Sequence, residues 1–168
     1  MKTSTGIEIR IATMDDASEV VSVLRLAFAE YEPLYTKEAY AATTTDVPTI
    51  RARMREAPLW VAAQNKHIVG TASAVRTDVG LYIRGMAVVP NVRRLGVGRL
   101  LLQRVERFAT ENDCARLFLS TTPFLYGAIR LYEAFGFRSV NERPHELFGT
   151  PLFTMEKALV RDSAIPGG

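Results

Sequence analysis

The run Arg93-Arg94-Leu95-Gly96-Val97-Gly98-Arg99 is the stretch of this sequence best suited to chemistry, because two glycines and three arginines stand where a long amphipathic segment begins. Glycine lets the backbone turn tightly and lets N–H groups approach a ligand with no Cβ in the way. The first amides of a helix lack internal partners and sit at the positive end of its dipole, so a helix starting here suits a phosphate. Two familiar phosphate loops do not fit. The dinucleotide pattern needs a third glycine where Leu101 stands, and the Gly-Lys-Ser/Thr of a P-loop is absent. A bare Gly-x-Gly is also compatible with a purely structural turn.

Tyr132 is a second candidate. It lies on the apolar stripe Ala128, Leu131, Tyr132 and Phe135, where a phenol is either a core group or a proton donor. His145, in a polar stretch with Glu142 and Glu146, has the pKa range of a base. Tyr31, Glu32, Tyr35 and Tyr40 could line a pocket or merely pack. Cys114 is the only cysteine; it precedes an apolar strand and reads as core, while His67 reads as surface.

The elements that must hold these groups follow from periodicity. Ile7–Ile11 alternates as a half-buried strand, and Thr13-Met14-Asp15-Asp16 opens a helix with Asp in the capping-box position usually held by Glu. Val20, Val21, Leu24 and Phe28 form that helix's apolar face, which fades near Tyr31 to Pro33. Residues 33–48 form an aromatic, polar stretch, and a short helix follows Pro48 to Glu56. Leu59–Gln64 and Ile68–Arg76 are strands joined by a turn at Asn65-Lys66. Leu81–Val89 is apolar enough for the centre of a sheet, and Gly85 marks a bulge within it. A helix over 96–112 buries Val97, Leu101, Val105 and Phe108. A strand over 115–120, a helix over 125–135 and strands near 137–141 and 152–157 complete the pattern.

Composition bounds the answer. A chain of 168 residues, 48% hydrophobic and 23% charged, suits one globular domain over residues 1–160, with 161–168 as a disordered tail. No apolar run is long enough to span a membrane. The single cysteine excludes an intramolecular disulfide and, with no secretory signal, points to the cytoplasm. Net charge is +3, and Arg99, Arg104 and Arg107 share a helix with Glu106 and Glu111, so no basic stripe for nucleic acid is visible.

Arg93-x-x-Gly96-x-Gly98 after Met86-Ala87-Val88 resembles the acyl-coenzyme-A motif of the GNAT superfamily of N-acetyltransferases. The segment Ala128-Ile129-Arg130-Leu131-Tyr132-Glu133-Ala134-Phe135-Gly136-Phe137 is similar to that family's Ala-x-x-Leu-Tyr-x-x-x-Gly-Phe, and the order β-α-α-β-β-β-α-β-α-β-β agrees over nearly the whole chain. The resemblance implies a single α/β domain, with a mixed, mostly antiparallel sheet flanked by helices and a splayed pair of parallel strands at the coenzyme site. It implies that the loop amides of Arg94, Gly96, Val97, Gly98 and Arg99 hold the pyrophosphate, with Arg93 bracing the loop. Met86 and Val88 would pair with pantetheine, and Ala128 and Tyr132 would line its path. Tyr132 would be the general acid, and the Val88 amide would stabilise the oxyanion. Acetyl-CoA would be the co-substrate, no metal is implied, and the acceptor would be a small-molecule or peptide amine.

Two positions depart from the family pattern. Tyr82 stands where some members carry a glutamate base, and Leu125 stands where many place an asparagine that contacts the coenzyme. The alternative is a non-catalytic acyl-CoA sensor. Replacing Gly98 with Val is expected to weaken coenzyme binding with the fold largely kept. Self-association as a homodimer stays open.

Overall fold

Strand β1 (Ile7–Ile11) leads into a turn built on Asp16. The Asp16 carboxylate accepts the Thr13 amide at 2.7 Å and two Arg10 guanidinium bonds at 2.7 and 3.0 Å. These bonds, the Arg10 pair first, hold the carboxyl down at about 2. Helix α1 (Ala17–Phe28) follows and buries Val20, Val21 and Leu24 as its periodicity predicts. The structure, a computed structural model, describes residues 6–140 and 142–160. The expected tail at 161–168 lies outside the described residues.

After a 3-10 segment over Ala29–Leu34 come α2 (Lys37–Thr43) and α3 (Val47–Glu56). The central strands are β2 (Leu59–Gln64), β3 (His67–Thr77) and β4 (Gly80–Val88). Helix α4 (Val97–Glu111) crosses to β5 (Arg116–Thr121), then α5 (Tyr126–Phe135) leads to β6 (Arg138–Ser139), β7 (His145–Leu147) and β8 (Thr150–Ala158). The strands form one sheet in the order β1-β2-β3-β4-β5-β8-β6, with β7 paired to β8. Every pairing is antiparallel except β4 with β5.

Residues Ile68–Ala74 of β3 are all buried, and helices α1 and α4 both pack against this strand. In β4, whose apolar run predicts burial on both faces, only Leu81, Ile83 and Ala87 are buried. Tyr82, Arg84, Met86 and Val88 are half-buried, because the other face of β4 lines a cavity. Trp60 is wholly buried, and Phe108 of α4 meets its ring edge-on at 5.4 Å. Among the described residues no helix is long and apolar enough to cross a membrane.

Two elements exceed the sequence reading. Helix α2 stands in the stretch read as irregular; it starts because Thr36 accepts the Ala39 amide at 3.2 Å, and only Ala39 of it is buried, so it has no apolar periodicity to detect. Strand β7 lies in the region read as a polar loop. It is three residues long and exists through a tight turn at Phe148-Gly149, both at positive φ, that folds it onto β8.

Candidate active site

The parallel pairing of β4 and β5 is confined to Leu81 with Leu117 and Tyr82 with Phe118. Beyond these the strands part. The cause is at Gly85, whose φ of +61° is the left-handed conformation that favours glycine. Between Arg84 and Ala87, β4 advances three residues while β3 advances two, from Ser73 to Thr71, so β4 carries the bulge expected there. The gap opens into a cavity of about 670 Å³, a size typical of ligand sites. Its walls come from β4, the turn into α4, the end of β5, the start of α5 and the Phe28–Tyr35 segment.

The glycine turn lies at one end. Pro90 opens a 3-10 turn that ends at Gly96 with φ of +77°, and the Leu100 amide is the first to bond back, to the Gly96 carbonyl at 3.1 Å. The amides of Val97, Gly98 and Arg99 precede it and have no intrahelical acceptor. A Cβ on Gly96 would meet nothing within 4 Å, so this corner is open. A Cβ on Gly98 would come within 2.6 Å of a terminal methyl of Leu131 on α5, so a larger residue here displaces the Leu131 side chain where α4 packs on α5.

Arg93 does brace the loop: its guanidinium pairs with Glu30 and donates to the Ala27 carbonyl at 2.8 Å, tying the turn to the end of α1. Arg94, Arg99 and Arg130 also line the cavity. The Val97 side chain is wholly buried in the core, leaving only its amide to serve a ligand.

Strand geometry turns the Val88 amide toward the gap. The Val89 amide donates to the carbonyl of Val69 directly opposite at 2.9 Å, which fixes 89 with 69 as a hydrogen-bonding position of the ladder. In an antiparallel ladder the neighbouring pair, Gly70 with Val88, must then direct its N–H and C=O groups outward. On the β4 side that direction is the splay, where β5 offers no partner. Met86, two residues earlier, lines the cavity beside it.

Tyr132 and Ala128 reach the cavity from α5. Tyr132 is only 7% exposed, and burial pushes its phenol well above the ordinary value, with Tyr35 adding to the shift. Burial likewise raises the Tyr35 phenol to about 12, with the Thr122 and Thr43 side chains opposing the shift. The Thr122 hydroxyl is buried in this wall but forms no hydrogen bond of good geometry. Tyr35 stacks edge-on against Phe124 at 4.9 Å, so the segment after α1 roofs the cavity. Of the four residues considered from sequence as pocket lining, Tyr31 and Tyr35 line it, while Glu32 and Tyr40 do not.

At the opposite end, Tyr82 and Arg84 of β4 meet Arg53 of α3. Tyr82 packs on Phe118 with rings 5.2 Å apart. Burial, and then repulsion from Arg84, pull the Arg53 pKa below its ordinary value. Ser120 also lines the cavity, and His145 stands behind it with Nε2 3.3 Å from the Ser120 hydroxyl. Leu125 contributes an apolar side chain. Cys114 and His67 lie away from the cavity wall.

Sequence reasoning missed Arg53, Arg84, Ser120 and Arg130 as site residues, and pointed to the backbone of residues 121–123 without singling out the Thr122 side chain. The period-two alternation that places Tyr82 on this face also places Arg84 there. Nothing local brings α3 to the bulge.

The comparisons with known proteins point the same way. Residues 20–137 match the family model described as Acetyltransferase (GNAT) family. An N-acetylaspartate synthetase from Danio rerio is 35% identical over 85 residues, which is 49% of this chain but only 30% of that protein. An N-alpha-acetyltransferase from Sulfolobus acidocaldarius is 28% identical over 153 residues, 86% of this chain and 87% of that one. The chain thus spans under a third of the length of the first relative and most of the second. Among solved structures, PaiA N-acetyltransferase from Thermoplasma acidophilum, in complex with coenzyme A, superposes with a TM-score of 0.79 at 16% identity, covering 91% of this chain and 99% of that one. The splayed sheet, the Gly96 turn and the match over most of the chain together place this protein in the acetyltransferase (GNAT) family.

Proposed function

We propose that this chain is an N-acetyltransferase that moves an acetyl group from acetyl-CoA to an amine by direct attack. One observation carries the reading: the splay between β4 and β5 brings the Gly96 turn, the outward Val88 amide and Tyr132 onto one cavity. The residues present fit the co-substrate. The free amides from Val97 to Arg99, with Arg94, Arg99 and Arg130 nearby, suit a pyrophosphate. The unpaired edge of β4 at Met86 and Val88 suits pantetheine amides, which would act as an added strand. The Thr122 hydroxyl can take up the contact that Leu125 cannot make.

Acetyl-CoA supplies the thioester. The amine nitrogen bonds to the carbonyl carbon and the carbon–sulfur bond breaks. The Val88 amide stabilises the charge that develops on the carbonyl oxygen, and Tyr132 gives its proton to the departing sulfur. The amine must shed a proton, which for a lysine-like group costs about 4 to 5 kcal/mol at pH 7. No carboxylate lines the cavity among the described residues, so the base is not a wall glutamate or aspartate. The wall arginines lower that cost, because nearby like charge disfavours an ammonium. Ser120, backed by His145, offers the proton a route out.

The missing carboxylate also favours a second reading, a sensor that binds acyl-CoA without turnover. A panel of amines incubated with acetyl-CoA, with free thiol followed against an amine-free control, separates the two. The transferase reading requires amine-dependent thiol release. The sensor reading requires coenzyme binding with none.

A further inference from the structure

We propose that Arg53 and Arg84 form a carboxylate subsite, so that the preferred acceptor is an amine carrying a carboxylate close to the nucleophilic nitrogen. The proposal rests on the acetyl-transfer reading and deepens it.

The cavity is lined by six arginines and, among the described residues, by no aspartate, glutamate, lysine or histidine. Four of the six, Arg93, Arg94, Arg99 and Arg130, come from the glycine turn and the helices α4 and α5. There the phosphates of a coenzyme would meet them, and Arg93 already has Glu30. The other two cannot be accounted for in that way. Arg84 is on β4 just before the bulge, and Arg53 reaches over the bulge from α3, its Nη1 3.6 Å from the point a Cβ on Gly85 would occupy.

The partners of this pair are incomplete. Arg84 donates from Nη2 to Glu56 at 3.1 Å, yet its Nε is buried with no acceptor. Glu56 has a side chain 55% exposed, so water screens it. The Arg53 guanidinium has no hydrogen bond or ion pair among the described residues. Arg84 repels the Arg53 charge from β4, and only Glu56 and Tyr82 act on it in the opposite sense. Two guanidinium groups therefore face one screened carboxylate, which leaves a net positive charge on this wall of the cavity.

Guanidinium presents its donors as a planar fork that matches carboxylate geometry. An anionic acceptor would satisfy the buried Arg84 Nε, give Arg53 its missing partner and relieve the repulsion between the two. A cationic acceptor such as a polyamine would add to that repulsion. Two sources share this chemistry: the α-carboxylate of a free amino acid, and an acidic side chain at a peptide N-terminus.

The test uses matched pairs that differ only in the carboxylate. Turnover is compared for L-alanine against L-alaninamide, and for a short peptide beginning with Asp against one beginning with Asn. The amide has the more readily deprotonated amine, so a preference for the acid cannot come from amine basicity. Independently of turnover, calorimetry compares N-acetyl-L-alanine with its amide on the protein saturated with coenzyme A. For at least one pair the acid is expected to be favoured roughly 10- to 100-fold, the range of a charge-assisted contact. The pair that shows it identifies the source.

Arg84→Gln and Arg53→Gln should each reduce that preference about tenfold or more, whereas Arg53→Lys should retain part of it. Retained coenzyme affinity confirms that the variants are folded; should the Gln variants fail to fold, wild type and Arg53→Lys decide. Equal handling of acid and amide by the wild type, or a preference that survives both Gln substitutions, overturns the subsite. Acid-selective binding with no turnover on any amine overturns the transferase reading and leaves the subsite standing.

Discussion

Tyr132 must hold a proton before it can donate one, and its burial ensures that across the neutral range. In water a thiolate would take a phenol's proton at a cost of roughly 2 kcal/mol. Burial raises the phenol further, but it disfavours the thiolate in the same cavity too, so the mismatch does not simply widen. Tyr132→Phe removes the proton and keeps the ring. Turnover on a validated acceptor should fall roughly 10- to 1,000-fold, while coenzyme affinity changes little; near-wild-type turnover with chemistry rate-limiting would make Tyr132 a packing residue. Tyr35, raised to about 12, gives a separate pH signature. The unfolded phenol ionises near 10 and the folded one higher, so the contribution of Tyr35 is intact below 10 and is lost as pH climbs toward 12. Melting temperature should fall over that window, and Tyr35→Phe should flatten the fall. Tyr132 was legible because its helical spacing and the flanking Gly136-Phe137 form a motif. Arg53 was not, because its meaning depends on where α3 docks, and no local pattern carries that.

At the scale of the elements, the two glycines of the turn have different physical duties that their shared motif conceals. Gly96 supplies a left-handed backbone at an open corner, whereas Gly98 lets α4 approach Leu131. Gly98→Val should destabilise the fold by about 1 to 3 kcal/mol through overpacking, and adding Leu131→Ala should return part of it; denaturant titration of both variants checks this. The Arg10–Asp16 pair at the start of α1 sets the acid limit of the same framework. Its carboxyl falls from 3.8 to about 2 on folding, so the stabilisation is present above 3.8 and is lost as pH drops toward 2. Asp16→Asn should remove that portion of the acid transition. Long periodic elements such as α1 and α4 were readable from sequence, as was the bulge at Gly85. Helix α2 and strand β7 were not, since a side-chain cap and a hairpin turn define them in place of an apolar face.

For the whole molecule, the splayed sheet should respond to its ligand as a unit. Acetyl-CoA at 100 times its dissociation constant should stabilise by roughly 2.7 kcal/mol, a rise in melting temperature that NAD and ATP should not match. Since arginines and helix-end amides would hold the phosphates, salt should weaken coenzyme A binding more than binding of a pantetheine fragment. Equal salt dependence would make the glycine turn structural only. The most direct measurement follows the acetyl group itself. Purified protein is incubated with acetyl-CoA carrying a labelled acetyl group, with and without an amine, and the products are analysed by mass spectrometry. Direct attack predicts one labelled N-acetyl amine for each thiol released and no labelled adduct on the protein when amine is withheld. Coenzyme binding with no labelled amine from a broad panel would contradict acetyl transfer, and a labelled protein adduct that disappears when amine is added would contradict direct attack.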